Sequence, residues 1–367
     1  METTKPQKDI YTILPGKNEH GTPIFSVLVK RTYDIHPGQI TVRAEPTHSF
    51  ILADIYYDDG DPETSTVKYE SDMTPYKLAT DVVVIGKAYA PQGKPISQMD
   101  VWIEVSDIKK VIRVIGDRQC IFQDKKPPQF TDPVPFTEME IRYDNAYGGK
   151  DLKSNPELPF YYPRNHMGKG LAVKNIQEVI GGLVLPNLED PEDLLTPERV
   201  VLDEPNQWNK QPLPQGLGWF QKTWYPRCSF VGSIPGFVDP DEVMREELLG
   251  IVPKRQIALA RQFKLPSYDV RFHNGASLGL ILPFLQGGEP IKLYGLTPGG
   301  ELKFILPKEK PKLTLNIGLG ENELEAVLQT VCIRLEEMQV DFIWRGAHAY
   351  PGYDWLPEMK RMEVSTS

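Results

Sequence analysis

The sequence predicts a mainly β protein, with antiparallel sheets and meanders, long irregular excursions, and one or two short helices near residues 240–263. Three observations predict it. Glycine and proline are numerous, 29 and 34 of 367 residues, and they are spread along the chain. Many turns need both, glycine for positive φ and proline for its fixed φ. Short runs rich in Val, Ile, Thr and aromatic residues lie between these turns. Hydrophobic residues make up 40% of the chain, enough to bury a sizeable core.

The elements follow in order. Residues 1–23 read as a flexible polar arm broken by Pro15 and Gly16. Phe25 to Tyr33 is a strand pattern, His36-Pro37-Gly38-Gln39 a turn, and Ile40 to Arg43 the returning strand. Val82 to Ala90 is a β-branched run stopped by Pro91 to Pro95, and Val101–Val105 and Lys110–Ile115 are further strands. From Asn155 to Gln215 prolines multiply and periodicity fades, which predicts a long excursion ordered by contacts to the sheets. Asp239 as N-cap, Pro240 at the first helical position and Gly250 as terminator predict a helix, and Pro253 opens a second toward Phe263. The Gly287-Gly288 and Gly299-Gly300 turns then feed a meander. Leu313, Leu315 and Ile317 alternate like a half-buried strand. Glu323 to Met338 fits either a helix or a strand, and its β-branched content with the following run Val340 to Trp344 favours a hairpin. The domain expectation is one β-rich unit over 24–346, followed by a C-terminal tail over 347–367.

The net charge of −9 argues against nucleic acid or an anionic membrane surface as the main partner. Three scattered cysteines, Cys120, Cys228 and Cys332, form no Cys-x-x-Cys and suit a reducing cytoplasm. Met1 to Ile10 lacks an apolar signal core, and apolar stretches such as Leu278 to Leu285 are too short to span a bilayer. A cytoplasmic location is the expectation.

Motifs for chemistry are sparse. Gly318 and Gly320 lack the third glycine of a dinucleotide fingerprint, and Gly232-Ser233-Ile234-Pro235-Gly236 misplaces the serine of a nucleophile elbow. Asp269 could orient His273 as a base, although the bland reading is a strand end. Asp54, Asp58, Asp59, Asp61 and Glu63 surround Gly60 without calcium-loop spacing, so a solvated hairpin tip is the expectation. Glu138 and Glu140 share a strand face, the pairing that a glycosidase would use. No catalytic residue, cofactor or metal is expected, and the protein is not expected to be an enzyme.

Trp208, Trp219, Phe220, Trp224 and Tyr225 crowd a Gly- and Pro-rich stretch from about Asn206 to Gly236. Such rings are core in most proteins, and at interfaces they are binding anchors. With Arg227 they form the candidate partner-binding set, their backbone offering free amides to an extended peptide.

Several segments resemble a bacterial family known as domain of unknown function two-one-six-nine, linked to type VI secretion effector adaptors. They include Val29 to Ile35, Lys68 to Lys77, Ile115-Gly116-Asp117-Arg118, Pro135 to Met139, Ile141 to Gly149, Leu185 to Glu189, Pro214 to Gly218, Trp224 to Arg227, Phe272 to Ala276, Gly295 to Gly300 and Trp344-Arg345-Gly346. Gln119-Cys120 departs from the aromatic residue usual after Gly-Asp-Arg, and Gly275 to Gly279 departs from the family's Ala-Pro and Asp-Gln pattern. The resemblance implies a cytoplasmic adaptor, or chaperone, that binds a toxin effector and helps load it onto a PAAR-tipped or VgrG spike. The different class to weigh against it is a glycan-binding or glycan-cleaving β-rich protein. The family's Gly, Arg and Asp motifs read as mainly structural; alternatively Arg118, Arg142 and Arg227 line a groove for an acidic partner segment.

Overall fold

The computed structural model describes residues 9–60, 64–202, 204–230, 269–316, 321–350 and 363–366. Its largest sheet has seven strands. Pro23–Asp34 is buried at almost every position, the mark of a strand covered on both faces. It pairs antiparallel with Ile10–Lys17 on one side and Gln339–Ala349 on the other. Gln339–Ala349 pairs with Val327–Arg334, so the hairpin expected across residues 323–344 is present. Its β-branched residues fit a pleated, packed surface better than a helix. Val327–Arg334 then runs parallel to Thr80–Ile85, a departure from an all-antiparallel scheme, and Ile281–Leu282 closes that edge.

Part of the expected flexible arm is therefore a strand. Tyr11, Thr12 and Ile13 are strong β-formers, and Pro15 is tolerated because this strand lies at the sheet edge. The turn at residues 36–39 is present, with Gln39 N donating to His36 O, but the returning strand shrinks to Val42–Arg43. The Val82–Ala90 run divides at Gly86 into Thr80–Ile85 and Lys87–Tyr89.

A five-stranded sheet runs in the order Leu188–Glu189, Ile108–Ile115, Gln98–Val105, Pro290–Tyr294, Glu301–Ile305. Gln98–Val105 alternates buried and open positions, so one face meets the core and the other meets solvent. Val101, Ile103, Ile291, Leu293 and Phe304 join Phe25, Val27 and Val29 of the large sheet in one continuous core. The expected Gly-Gly meander is the Pro290–Tyr294 and Glu301–Ile305 pair.

The proline-rich excursion carries a core of its own, including Tyr147, Tyr162, Ile180, Leu185, Val200 and Trp208. Its regular structure is short: a parallel pair of Tyr147–Gly148 with Lys169–Gly170, and a four-residue α-helical turn at Gln177–Ile180. A side chain at Gly148 would place its Cβ 2.0 Å from the Asn165 carbonyl oxygen, and φ there is +148°. Glycine is thus required twice over, by space and by conformation. Leu313–Asn316 forms a small sheet with Glu321–Leu324 and Glu363–Thr366, so part of the expected tail is a strand. The helices expected near 240–263 lie outside the described residues.

Candidate functional site: an apolar cavity beside residues 205–230

Pro205–Lys210 is a 3-10 turn that drops Trp208 into the excursion's core. Trp208 meets Tyr225 edge-on at 5.3 Å and carries the Arg164 guanidinium on its face at 4.8 Å. Trp219 forms a bridge to Ala276, and the Phe220 amide donates to the Gly275 carbonyl at 2.8 Å. Trp224 is fully enclosed, edge-on to both Tyr143 and Phe220. These three tryptophans are buried, which is the core reading of the two that the sequence left open for them. The reason is hydrophobic: in a stretch poor in regular structure, the large rings supply the burial that a sheet would otherwise supply. The Phe220 amide is also already spent within the chain, so it is not free for a peptide.

Phe220, Tyr225 and Arg227 do share a surface. They line an apolar cavity of about 510 Å³, together with Leu78, Tyr143, Arg164, Leu213, Phe230, Arg271, Leu278 and Ile281. That volume is typical of binding pockets. The Thr80–Ile85 and Ile281–Leu282 edge of the large sheet positions Leu78 and Ile281. Asp269 caps the Val270–His273 turn and sets Arg271. Lys110 donates to the Leu278 carbonyl at 2.5 Å, which ties the Leu278 loop to the second sheet. On the wall, the Tyr143 hydroxyl is hydrogen-bonded to Ser277 Oγ at 2.6 Å, and burial raises its pKa above the usual phenol value.

The cavity's leucines escaped the sequence reading. Leu78, Leu213, Leu278 and Ile281 are scattered in sequence, and all four are exposed. Leu278 carried a local signal, since a large apolar residue stands in a Ser-Leu-Gly turn.

The three family-motif arginines are held internally. Arg227 pairs both its terminal nitrogens with Glu70 and donates to the Phe220 and Phe272 carbonyls. Arg118 pairs with Glu189. Arg142 holds Asp58 and Asp144 and stacks on Tyr57 at 4.5 Å. Other motif residues join the same scaffold. Asn187 donates to Asp117 at 2.9 Å and accepts from Lys169 Nζ, also at 2.9 Å. Lys77 donates to Asp81 at 2.6 Å, and Asn274 donates to Asp81 at 3.1 Å. The motifs therefore mark buried polar ties between loops and sheets, where each charge needs a partner.

The remaining candidates separate. Asp269 binds Arg271 and does not orient His273. Burial, with Lys77 and Arg227 adding to it, pushes the His273 imidazole down to about 4. Glu138 and Glu140 do share a face, flanking Lys87 Nζ at 3.8 and 3.3 Å on an exposed strand pair. The acidic hairpin tip is stitched to the body: Asp54 meets Lys222 at 2.9 Å, and Asp58 meets Arg142. Asp61, Glu63 and the two glycine motifs at 232–236 and 318–320 lie outside the described residues. Among the described residues no group of three His, Cys, Asp or Glu side chains could hold a metal ion. Burial pushes the Cys120 and Cys332 thiols up to about 12, far from the reactive range.

What the fold and cavity define is a mainly β protein with a large open apolar site. The chain belongs to the family described as uncharacterized protein conserved in bacteria (DUF2169), whose model matches residues 20–345. No curated protein and no solved structure matches it. Among the described residues no helix is long and apolar enough to cross a membrane.

Proposed function

We propose that this protein is a cytoplasmic, non-enzymatic adaptor that holds a type VI secretion toxin and presents it to the PAAR or VgrG component of the spike. The observation that carries the reading is the cavity, with its apolar wall of Leu78, Leu213, Phe220, Tyr225, Leu278 and Ile281. Four of these are exposed apolar side chains gathered at one place, the signature of a surface made for a partner. The wall belongs to a scaffold cross-tied by buried ion pairs such as Arg227–Glu70. A rigid site of this kind loses little entropy on binding. The resemblance of the motifs to effector adaptors gives the partner its class.

The glycan-binding alternative required Trp219 or Trp224 to stack on sugar. Both indoles are enclosed.

The test is co-expression with each candidate toxin and spike protein of the source bacterium, followed by size-exclusion chromatography. The expected result is co-elution of toxin and adaptor, with loss of toxin secretion when the adaptor gene is deleted. No complex and unchanged secretion reject the reading. Hydrolysis of peptidoglycan or esters by the purified protein, lost in Glu138→Gln or His273→Ala, rejects its non-enzymatic part.

A further inference from the structure

Building on the cavity as the partner site, we propose that its occupant is an amphipathic protein segment that places a row of large apolar side chains against the cavity wall and a carboxylate against Arg164.

The apolar part follows from where the wall ends. Leu278 is 68% exposed, Ile281 41% and Leu78 40%, so apolar surface continues from the cavity onto its rim. A small ligand held inside would leave these side chains in water. A protein segment lying along the cavity covers them and removes that surface from solvent.

The charged part follows from the cations at the cavity. Arg227 is neutralised by Glu70, and Arg271 is neutralised by Asp269 and stacks on Phe230 at 4.4 Å. Arg164 differs. It lies on Trp208, reaches the Asn209 carbonyl at 3.4 Å and is hydrogen-bonded to the Tyr162 side chain, and among the described residues no carboxylate pairs with it. These partners are neutral, so the guanidinium charge is left without a counter-charge, and its remaining N–H groups suit a carboxylate. The whole protein carries a net charge of −9. That same charge repels an acidic partner at long range, so the Arg164 pair acts at contact and sets register more than association rate.

The experiment is selection of random 12-residue peptides displayed on phage against the full-length protein and two variants, Leu278→Glu and Arg164→Glu, each checked by circular dichroism and thermal melting. Ile281→Ser replaces Leu278→Glu if the latter melts early. Expected from the wild type are peptides combining Leu, Ile, Phe or Trp with Asp or Glu. Expected from Leu278→Glu is no enrichment, and from Arg164→Glu an exchange of the acidic residues for Lys or Arg. A fluorescein-labelled acidic binder should lose about tenfold in affinity on Arg164→Gln. Its Glu→Gln version should lose the same from the wild type and be insensitive to the variant.

Enrichment without acidic residues, or unchanged selection on Leu278→Glu, overturns the proposal. So does tight dodecanoate binding with no peptide enrichment, which makes the occupant a lipid-like acid. Concentration-dependent dimers abolished by Leu278→Glu also overturn it, in favour of a second copy. The adaptor reading fails separately: a toxin that co-elutes at full yield with folded Leu278→Glu protein keeps the adaptor and rejects the cavity. Acidic apolar peptides selected by a protein that binds no toxin keep the cavity chemistry and reject the adaptor.

Discussion

The Arg227 guanidinium grips both carboxylate oxygens of Glu70, at 2.5 and 2.6 Å, although the two residues are 157 positions apart. Both are almost fully buried. Removing one partner leaves the other charged and enclosed. Glu70→Gln or Arg227→Met should therefore cost about 3–5 kcal/mol in urea unfolding at pH 7. The double variant Glu70→Gln, Arg227→Met should cost clearly less than the sum of the two single changes. A double variant whose cost equals the sum of the two single costs would show that the two residues act independently.

Asp341 lies at the centre of a second buried group. Thr32 Oγ1 donates to it at 2.7 Å, His48 Nδ1 lies 2.9 Å away, Arg334 2.9 Å and Lys30 3.6 Å. Burial opposes its ionisation, yet the His48 hydrogen bond with Lys30 and Arg334 holds its carboxyl down at about 2. Its folded pKa is below the unfolded value of about 3.9, so its stabilisation is full above that value and is lost as the pH falls through about 2. Unfolding measured from pH 5 to pH 2 should show a loss of about 2–3 kcal/mol that Asp341→Asn lacks. Asp72 beside it is shifted the other way, raised by burial, so the comparison with Asp341→Asn is needed to isolate the effect.

His273 should add a sensitivity to mild acid. Its folded pKa of about 4 is below the imidazole's ordinary 6.5. Between those values the unfolded chain takes up a proton that the folded protein refuses, so stability falls as the pH drops from about 6.5 to 4 and levels off below. His273→Gln should flatten the melting temperature across that window. An unchanged slope would assign the acid sensitivity to other groups.

Trp224 and Leu278 should behave oppositely. Trp224 is fully enclosed, and Trp224→Ala should cost about 3–5 kcal/mol of stability. Leu278→Ser, on the open rim, should change stability by less than about 0.5 kcal/mol and weaken toxin binding. Thermal melts beside co-elution with the toxin separate the two effects.

Gly148 should tolerate no side chain. The Asn165 carbonyl stands where its Cβ would go, and the backbone there is in the positive-φ region. Gly148→Ala should destabilise by at least about 2 kcal/mol in urea unfolding. Gly38→Ala, with positive φ but open space around it, should cost less.

The strands were legible because their cause is local. Short β-branched runs beside turn residues mark Gln98–Val105 and Ile108–Ile115 without reference to distant residues, whereas Val327–Arg334 fits a helix as well and is tilted to a hairpin only by its β-branched content and the run that follows. Ile10–Lys17 was missed because a single Pro-Gly pair outweighed three β-formers, and an edge strand tolerates that pair. The aromatic segment at 205–230 was legible as dense in rings, but a sequence does not tell which way rings point in a stretch without period. Phe220, Tyr225 and Arg227 reached the cavity wall while Trp208, Trp219 and Trp224 turned inward. The leucines and Arg164 came from separate stretches that only the tertiary fold brings together, and no periodic pattern connects them.

The large sheet joins remote parts of the chain. Thr32 bonds to Asp341 across 309 residues, and Thr80 bonds to Leu328 across 248. Gln339–Ala349 fills the position between Pro23–Asp34 and Val327–Arg334. During synthesis the Pro23–Asp34 strand, buried on both faces in the folded protein, must therefore wait on the ribosome until residues beyond 339 emerge. Such distant pairing makes for slow folding and leaves a sticky nascent chain exposed for much of translation. Production of this protein should accordingly depend on general chaperones, and shortened chains that stop before residue 339 should aggregate rather than accumulate as folded fragments.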